Sequence, residues 1–256
     1  MIPKIIHYCW FGRNPLPPLA LECIASWRKF FPDYEIKEWN EDNFDVNMMP
    51  YTREAYVQKK YAFVSDVARF WILYHHGGIY FDTDVEVIRP MDDIIEKGNF
   101  MGFELDPDGE NSPMKYAPRF AFAVNPGVGI GIKSQHPFCK KMLDLYSNLE
   151  YEDSSLNPYK KTIVAYTTEM LMEEGLQGIK GIQQVGDITI YPSEYFAPIN
   201  VITGRLHITP NTCTIHRYMG SWDSNKYASL KQQIRNLLPE WLLILANKIK
   251  RRKYRF

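Results

Sequence analysis

A chain of 256 residues with 45% hydrophobic and 14% aromatic content can bury a full core, either as one large domain or as one domain with a short appendage. Its 30 basic and 30 acidic residues cancel, so no chain-wide field favours nucleic acid as a partner. The four cysteines form no C-x-x-C pair, which favours reduced thiols in the cytoplasm over a disulfide framework or a zinc site.

The first elements along the chain predict an α/β opening. KIIHYCWFG, residues 4–12, is apolar and β-branched, as expected of a strand that ends in a loop. LALECIASWRKFF then has helical spacing, and YEIKEW alternates like a second strand. The beginning of the chain lacks the apolar region and cleavage site of a signal peptide. No segment reaches the roughly 18 apolar residues expected of a spanning helix.

The remaining elements continue this alternation. Residues 53–76 predict one long helix that stops at Gly77 and Gly78, and a strand containing DTD follows at once. Residues 98–135 are mixed strand and loop, with FAFAV as the clearest strand, and further helices are predicted in HPFCKKMLDLYSNL, TTEMLMEEGL and residues 227–250. The pattern predicts an α/β fold with a mostly parallel sheet, in which ligands bind beyond the carboxyl ends of the strands.

The segment HGGIYFDTDVEVIRP concentrates acidic side chains. Side chains alternate along a strand, so a continuous strand here would project Asp82, Asp84 and Glu86 to one face and apolar residues to the other. Three crowded carboxylates repel each other unless a cation, a proton or a hydrogen-bond donor lies between them. The pattern therefore predicts either a face open to water or a site that holds positive charge.

The helix before this segment carries a narrow polar stripe in an otherwise apolar run. In YAFVSDVARFWILY the strongly polar residues are Ser65, Asp66 and Arg69, and the last two are spaced to pair at i, i+3. One interpretation is a structural ion pair. The other is a binding site, because a pair on so apolar a helix loses much of its hydration and a polyhydroxyl or phosphate ligand would supply further partners.

Three interpretations of DTDVE differ in the chemistry they require. A calcium-binding EF-hand loop is excluded, because Val87 and Asp93 stand where it needs Gly and Glu. The phosphatase pattern D-x-D-x-Thr/Val fits at Asp82 and Asp84 but fails at Glu86. The third is a divalent metal that bridges a diphosphate, with Asp84 nearest the ion. A solvated polar face with no ligand is the structural alternative.

Three motifs in order resemble glycosyltransferase family 32. The family pattern is a helix with S-D-x-x-R followed by Y-x-x-G-G-x-Y-x-D-x-D, and IPKIIHYCWFG and IHRYMGSW resemble its opening strand and its closing H-x-x-x-G-S-W. Clostridial toxin glucosyltransferase domains and fungal mannosyltransferases share this core, but the chain's compactness is more similar to bacterial capsule and lipopolysaccharide enzymes. The central motif is matched at Ser65, Asp66, Arg69, Tyr74, Gly77, Gly78, Tyr80, Asp82 and Asp84.

The resemblance implies a GT-A-like fold over residues 1–225 and a retaining transfer of a hexose (galactose, glucose or an N-acetylhexosamine) from a UDP-sugar, with Mn²⁺ or Mg²⁺. It implies that Asp66 and Arg69 bind the donor sugar, that Asp82 contacts ribose and sugar, and that Asp84 binds the metal. His216 is a second implied metal ligand that closes over the diphosphate. The implied donor contacts are His7, Trp10, Ser65, Gly78, Tyr80, Asn125, Ser221 and Trp222. Asn125 lies in NPGVGIGI, where relatives approach the sugar; the run lacks the glycine spacing of a dinucleotide site, and a simple turn followed by a strand is the alternative.

The last residues, 226–256, predict a basic amphipathic helix. WLLILANKIKRRKYRF combines an apolar block with six basic residues and no acidic one. It is either a terminal helix packed on the body or a peripheral anchor on the anionic inner face of the plasma membrane, close to an undecaprenyl-linked glycan acceptor. Two functions other than transfer stay open: a DxD-type metal-dependent phosphohydrolase, and a nucleotide-sugar or glycan-binding module without turnover.

Overall fold

The computed structural model describes residues 1–107, 122–151, 162–200 and 203–219, together with residues 239 and 242–243. Strands and helices alternate along them. In chain order they are β1 (Ile5–Cys9), α1 (Pro18–Phe30), β2 (Glu35–Trp39), α2 (Pro50–Val57), α3 (Tyr61–His76), β3 (Gly78–Tyr80), β4 (Val85–Val87), α4 (Asp92–Ile95), β5 (Asn99–Leu105), β6 (Ala123–Val124), β7 (Ile130–Ile132), α5 (Pro137–Ser147), α6 (Ile163–Glu173), β8 (Gln183–Val185), β9 (Ile188–Tyr191), α7 (Ser193–Phe196) and β10 (Thr214–His216).

The central sheet has the strand order β2-β1-β3-β7-β5-β9-β8, with β6 paired to β5. β1 runs parallel to β2 and β3, and β5 runs parallel to β9. β7 is inserted antiparallel between β3 and β5, and β8 is antiparallel to β9. Five strands therefore point the same way, which confirms the predicted α/β class with a mostly parallel sheet, and their carboxyl ends meet at one edge.

A small second sheet lies beside this edge. β4 pairs antiparallel with β10, in a register that sets His216 opposite Val85. The pairing brings a segment from near residue 216 against the residues that follow β3. Trp27 of α1 fixes β4 from the other side, because its buried indole Nε1 donates a hydrogen bond to the carbonyl of Val85 at 2.7 Å.

The long helix predicted over residues 53–76 is two helices. α2 ends at Val57 and α3 begins at Tyr61, because the backbone turns at Lys59, whose φ is +57°. The amide of Lys60 then donates to the carbonyl of Ala55, which closes the end of α2. The S-D-x-x-R stripe therefore belongs to a separate helix of 16 residues that ends where predicted, at Gly77.

The prediction that DTD lies within one strand is wrong. β3 ends at Tyr80, and the next four residues turn out of the central sheet, with the amide of Val85 donating to the carbonyl of Asp82 at 3.0 Å. The chain joins the small sheet only at Val85. Glu86 therefore belongs to a different sheet from Tyr80, and the expected single face of three carboxylates does not form.

Several predictions fall outside the described residues. They concern Ser221, Trp222 and nearly all of the basic tail, and the first part of FAFAV, of which Ala123 and Val124 form β6. Within the described ranges, none of the helices has the length and apolar content needed to span a bilayer.

Candidate active site

The DTD turn lies just beyond the carboxyl end of β3, between strand β1 and the loop that precedes β7. The amide of Phe81 donates to the carbonyl of His7 on β1 at 3.1 Å, and the amide of Asp82 donates to the carbonyl of Gly127 at 3.0 Å. Backbone hydrogen bonds on both sides therefore hold the turn at the edge where ligands bind in sheets of this kind.

On one side of the turn, a buried arginine joins two carboxylates. The guanidinium of Arg69, with 4% of its side chain exposed, lies 3.3 Å from Asp66 and 3.1 Å from Asp82. It also stacks over the ring of Tyr80, with 4.7 Å from Cζ to the ring centroid. Burial acts to lower the pKa of Arg69, but the charges of Asp82 and Asp66 raise it above its usual range, so this cation is permanent.

One nitrogen of this arginine is unsatisfied. Nη1 of Arg69 is buried and has no hydrogen-bond partner among the described residues. A buried donor without a partner costs free energy, and a bound ligand with an oxygen acceptor would remove that cost. The arrangement therefore offers a directed N–H group next to the DTD turn.

A glycine makes the close approach at Asp82. A Cβ added to Gly127 would lie 2.0 Å from Oδ2 of Asp82, so a larger residue cannot be placed there without moving the carboxylate. The side chain of Asn125 accepts a hydrogen bond from the amide of Gly127 at 2.7 Å and so holds this turn. The alternative of a turn followed by a strand is confirmed for NPGVGIGI, and a donor contact by Asn125 stays a prediction.

On the other side of the turn, Asp84 pairs with a histidine. Its Oδ1 lies 3.2 Å from Nε2 of His216, and its Oδ2 accepts the amide of Met219 at 2.8 Å. The backbone carbonyl of Asp84 also accepts the amide of Arg217 at 2.8 Å. Burial acts to raise the pKa of Asp84, but the charge of His216 and these hydrogen bonds lower it. Burial likewise acts to lower the pKa of His216, and Asp84 raises it to about 9.

Asp82, Asp84 and His216 together fit a divalent cation. Each offers one ligand atom, and these atoms lie within 4.8 Å of one another. Two carboxylate oxygens and an imidazole nitrogen suit a hard to borderline ion such as Mn²⁺. His216 would release its proton on binding, because only the neutral imidazole is a ligand.

Glu86 is not part of this cluster. Glu86 lies on β4 and forms an ion pair with Arg217, which directly follows β10. Both side chains are about one third exposed. The pair lines a pocket with Leu19, Glu22 and Cys23 on the side of α1. The crowding that sequence alternation predicts is thus relieved in two ways, by separation of Glu86 and by cations beside Asp82 and Asp84.

Three residues that are predicted to contact the donor are buried within the protein. His7 has no exposed surface: Trp39 donates to its Nδ1 at 3.1 Å, which leaves the proton on Nε2 to donate to the carbonyl of Gly77 at 2.8 Å. Burial lowers the pKa of His7 to about 4, so it is neutral. Gly78, with φ of +104°, leaves only 3.0 Å between an added Cβ and the ring of His7.

Tyr80 is the third, since it is 1% exposed and its hydroxyl donates to Oδ1 of Asp82 at 3.2 Å. All three residues support neighbouring segments of the site, and their contact with a donor stays a prediction. Trp10 and Ser65 are half-buried and satisfied within the protein, by the carbonyls of Asn14 and Tyr61. Their donor contacts stay predictions.

One buried carboxylate near this site was missed by the sequence reasoning. Glu104, at the carboxyl end of β5, is 5% exposed, and its Oε2 is buried with no hydrogen-bond partner among the described residues. The available signal was a single charge in the apolar strand NFMGFEL. Gly127 was also missed as a close contact of Asp82, although the N-P-G turn was visible in the sequence.

Comparison with known proteins gives a family match over the part of the chain that contains α3 and the DTD turn. The family described as "Glycosyltransferase sugar-binding region containing DXD motif" matches residues 17–101, which include α3 and the DTD turn. Inositol phosphoceramide mannosyltransferase 1 of Schizosaccharomyces pombe is 30% identical over 119 residues, 42% of this chain and 36% of that protein. An uncharacterised glycosyltransferase of Acanthamoeba polyphaga mimivirus is 26% identical over 87% of this chain and 84% of its own length.

Among solved structures, PaToxG glycosyltransferase overlaps 68% of this chain and 70% of its own, with a TM-score of 0.48 and 20% identity. The chain spans little more than a third of the length of the first fungal relatives it matches. Residues 17–101 of the chain therefore match the DXD sugar-binding region of glycosyltransferases, and the chain is similar to fungal mannosyltransferases.

Proposed function

We propose that this protein transfers a hexose, with retention of configuration, from a UDP-sugar to a growing bacterial surface glycan, and that it uses Mn²⁺ or Mg²⁺. One observation carries the proposal. The DTD turn joins a cluster that fits a cation (Asp82, Asp84 and His216) to a buried arginine whose Nη1 has no partner among the described residues, in a region that matches the DXD glycosyltransferases. A nucleoside diphosphate-sugar presents the anionic diphosphate and the hydroxyls that such a pair of subsites would bind.

Positive and negative groups of the site would bind different parts of the donor. Departure of the nucleotide builds negative charge on the diphosphate, and a divalent cation bound by the cluster would stabilise that charge. Arg69 holds a permanent positive charge beside it and offers Nη1 to an oxygen of the ligand. Asp66 and Asp82 accept hydrogen bonds from sugar hydroxyls, and Tyr80 and Gly127 keep Asp82 in place.

The stereochemical route is open between two forms. A double displacement needs a carboxylate beneath the anomeric carbon, and a same-face transfer needs none. The carboxylates of the site are compatible with both routes, and both give retention of configuration at the anomeric carbon.

The proposed sugar and acceptor rest on observations other than the geometry of the site. Galactose, glucose or an N-acetylhexosamine follows from the resemblance, whereas the named fungal relatives are mannosyltransferases. Pocket shape, and not the metal motif, discriminates such epimers. For the acceptor we propose a lipid-linked glycan at the cytoplasmic face of the membrane, approached through the basic tail of residues 226–256, because that tail combines an apolar block with uncompensated positive charge.

The experiment is nucleotide release from a panel of donors. The intact chain is incubated with UDP-glucose, UDP-galactose, the two UDP-N-acetylhexosamines and GDP-mannose, with Mn²⁺ or with excess EDTA, and with a lipid-linked glycan acceptor. We expect one donor to be cleaved far faster with metal and acceptor present. Phosphate release from simple esters would support the phosphohydrolase instead. A donor-induced rise in melting temperature without turnover would support a binding module.

A further inference from the structure

We propose that Glu104 is a positioning residue of the metal site, which accepts a hydrogen bond from Nδ1 of His216 and so directs Nε2 towards the cation. This inference rests on the proposed function. It adds a residue of β5, a strand that carries no member of the cluster and lies outside the three recognised motifs.

Two complementary polar atoms are unsatisfied beside the cluster. Oε2 of Glu104 and Nδ1 of His216 are both buried and both lack a hydrogen-bond partner among the described residues. Glu104 is 5% exposed and His216 is 8% exposed, so water does not freely solvate either group. A buried acceptor and a buried donor without partners are each costly, and each supplies what the other lacks.

The fold sets the two residues on the same side of the central sheet. The pairing of β5 with β6 shifts register between Phe103 and Leu105, but these two residues still pack in one hydrophobic cluster while Phe100 packs in the other. Glu104 therefore lies on the face of Phe100 and Gly102. That face is covered by Phe196 of α7, whose ring stacks on Phe100 with 5.7 Å between centroids.

β10 contacts the same helix, α7. Thr214, two residues before His216, donates its hydroxyl to the carbonyl of Phe196 at 3.0 Å. The charge of Glu104 also contributes, after that of Asp84, to the raised pKa of His216. Packing and charge thus agree that the carboxylate of Glu104 faces the segment that carries the imidazole.

The chemistry of metal-bound histidine supplies the reason for the contact. When Nε2 ligates a cation, the neutral ring carries its proton on Nδ1, and this N–H is usually held by a carboxylate or a carbonyl, which fixes the tautomer and the orientation of the ring. No hydrogen bond joins Glu104 and His216 in the described residues. We infer that the contact forms, directly or through one water, when the ring ligates the cation.

The test measures Mn²⁺ affinity of the intact chain by calorimetry, which needs no turnover. Glu104→Ala should weaken Mn²⁺ binding by about 10- to 100-fold. Glu104→Gln should recover part of this loss, because its amide oxygen still accepts from Nδ1. In a His216→Ala background, Glu104→Ala should cause no further loss, since its partner is gone. Glu86→Gln is the matched control, a carboxylate two residues from Asp84 whose removal should leave Mn²⁺ affinity unchanged.

Other outcomes have distinct meanings. Unchanged Mn²⁺ affinity in Glu104→Ala, with a raised KM for donor or acceptor, would overturn the inference and make Glu104 a substrate contact. An equal loss in the His216→Ala background would overturn it in favour of a general effect of charge. Thermal unfolding of Glu104→Gln shows whether the variant folds. No Mn²⁺ binding by the unaltered chain would overturn the inference together with the metal dependence of the proposed function, whereas failure of the variants alone leaves that function standing.

Discussion

The two carboxylates of the DTD turn are two residues apart but face different cations. Asp82 lies 3.1 Å from Arg69, which cannot give up its proton in the accessible pH range, and its other oxygen lies against Gly127. Asp84 lies 3.2 Å from His216, whose pKa of about 9 makes its charge removable. One carboxylate is therefore locked to a fixed charge, and the other is paired with a charge that can be exchanged.

This difference suggests how one short turn can serve two tasks. A fixed ion pair is suited to holding the geometry of a sugar-binding subsite, because it does not change with pH or metal. An exchangeable proton is suited to a metal subsite, since a divalent cation can replace it without leaving a buried carboxylate uncompensated. We therefore expect mutations on the two sides of the turn to differ in kind.

The largest expected effect is that of Asp84→Asn. The amide is a far weaker ligand than the carboxylate and cannot balance a cation, so turnover should fall by on the order of a hundredfold or more while the fold is kept. Steady-state kinetics with Mn²⁺ over a range of concentrations would show whether excess metal restores any activity. Full activity of the unaltered enzyme in excess EDTA would contradict the exchangeable role of this side.

On the fixed side, Asp66→Ala removes one partner of the buried arginine. The free energy of unfolding should fall by roughly 3 kcal/mol, because part of the charge of Arg69 is left uncompensated in the interior. If Asp66 also holds the donor sugar, affinity for UDP-sugar should fall more than affinity for UDP, which lacks the sugar hydroxyls.

Calorimetry with the two ligands separates these roles, since an equal loss for both would leave only a structural ion pair. Asp144→Ala is the matched control for stability. Asp144 pairs with Lys140 one helical turn away, but both side chains are more than half exposed. Its loss should change the free energy of unfolding by only about 0.3 to 0.5 kcal/mol.

The sequence predicted the end of helix α3 better than the turn that follows. The stop at Gly77 follows from apolar spacing and a glycine that can adopt φ of +62°, whereas the break between α2 and α3 at Lys59 has no such signal. The course of the chain after Tyr80 could not be predicted in this way, because alternation in Y-F-D-T-D-V-E-V looks the same whether the chain stays in one sheet or crosses to another. The decisive contacts come from far away, from Gly127 and from the β10 segment.

The exchangeable charge also predicts a pH dependence of stability in the absence of metal. Below pH 6.5, the ordinary pKa of histidine, both the folded and the unfolded chain hold the proton on His216, so the pair with Asp84 contributes fully. Between pH 6.5 and about 9 only the folded chain still holds it, and the free energy of unfolding falls as pH rises.

The loss should be at most about 3 kcal/mol by pH 9. It is measured as the difference in urea unfolding between the unaltered chain and His216→Gln at each pH, which cancels the contribution of other groups. A difference that stays constant from pH 6 to pH 9 would show that His216 does not hold a proton against Asp84. With saturating Mn²⁺ the decline should disappear, since the proton has already left.

The smallest expected effect is that of Glu86→Gln, which tests whether the acidic cluster ends at Asp84. A continuous strand would have placed Glu86 on the same face as Asp82 and Asp84, where its loss would weaken cation binding. In the structure Glu86 lies on β4 and pairs with Arg217, and both side chains are about one third exposed.

A pair this accessible to water contributes about 0 to 1 kcal/mol to stability, and less at high salt. We therefore expect Glu86→Gln to keep turnover and Mn²⁺ affinity within about twofold of the unaltered chain, because Glu86 offers no ligand atom to the cluster and water screens its pair with Arg217. Turnover as a function of Mn²⁺ concentration, measured alongside Asp84→Asn, is the appropriate comparison. A shift of tenfold or more towards higher Mn²⁺ in Glu86→Gln would mean that Glu86 joins the cluster when the cation binds, and the boundary drawn at Asp84 would have to move.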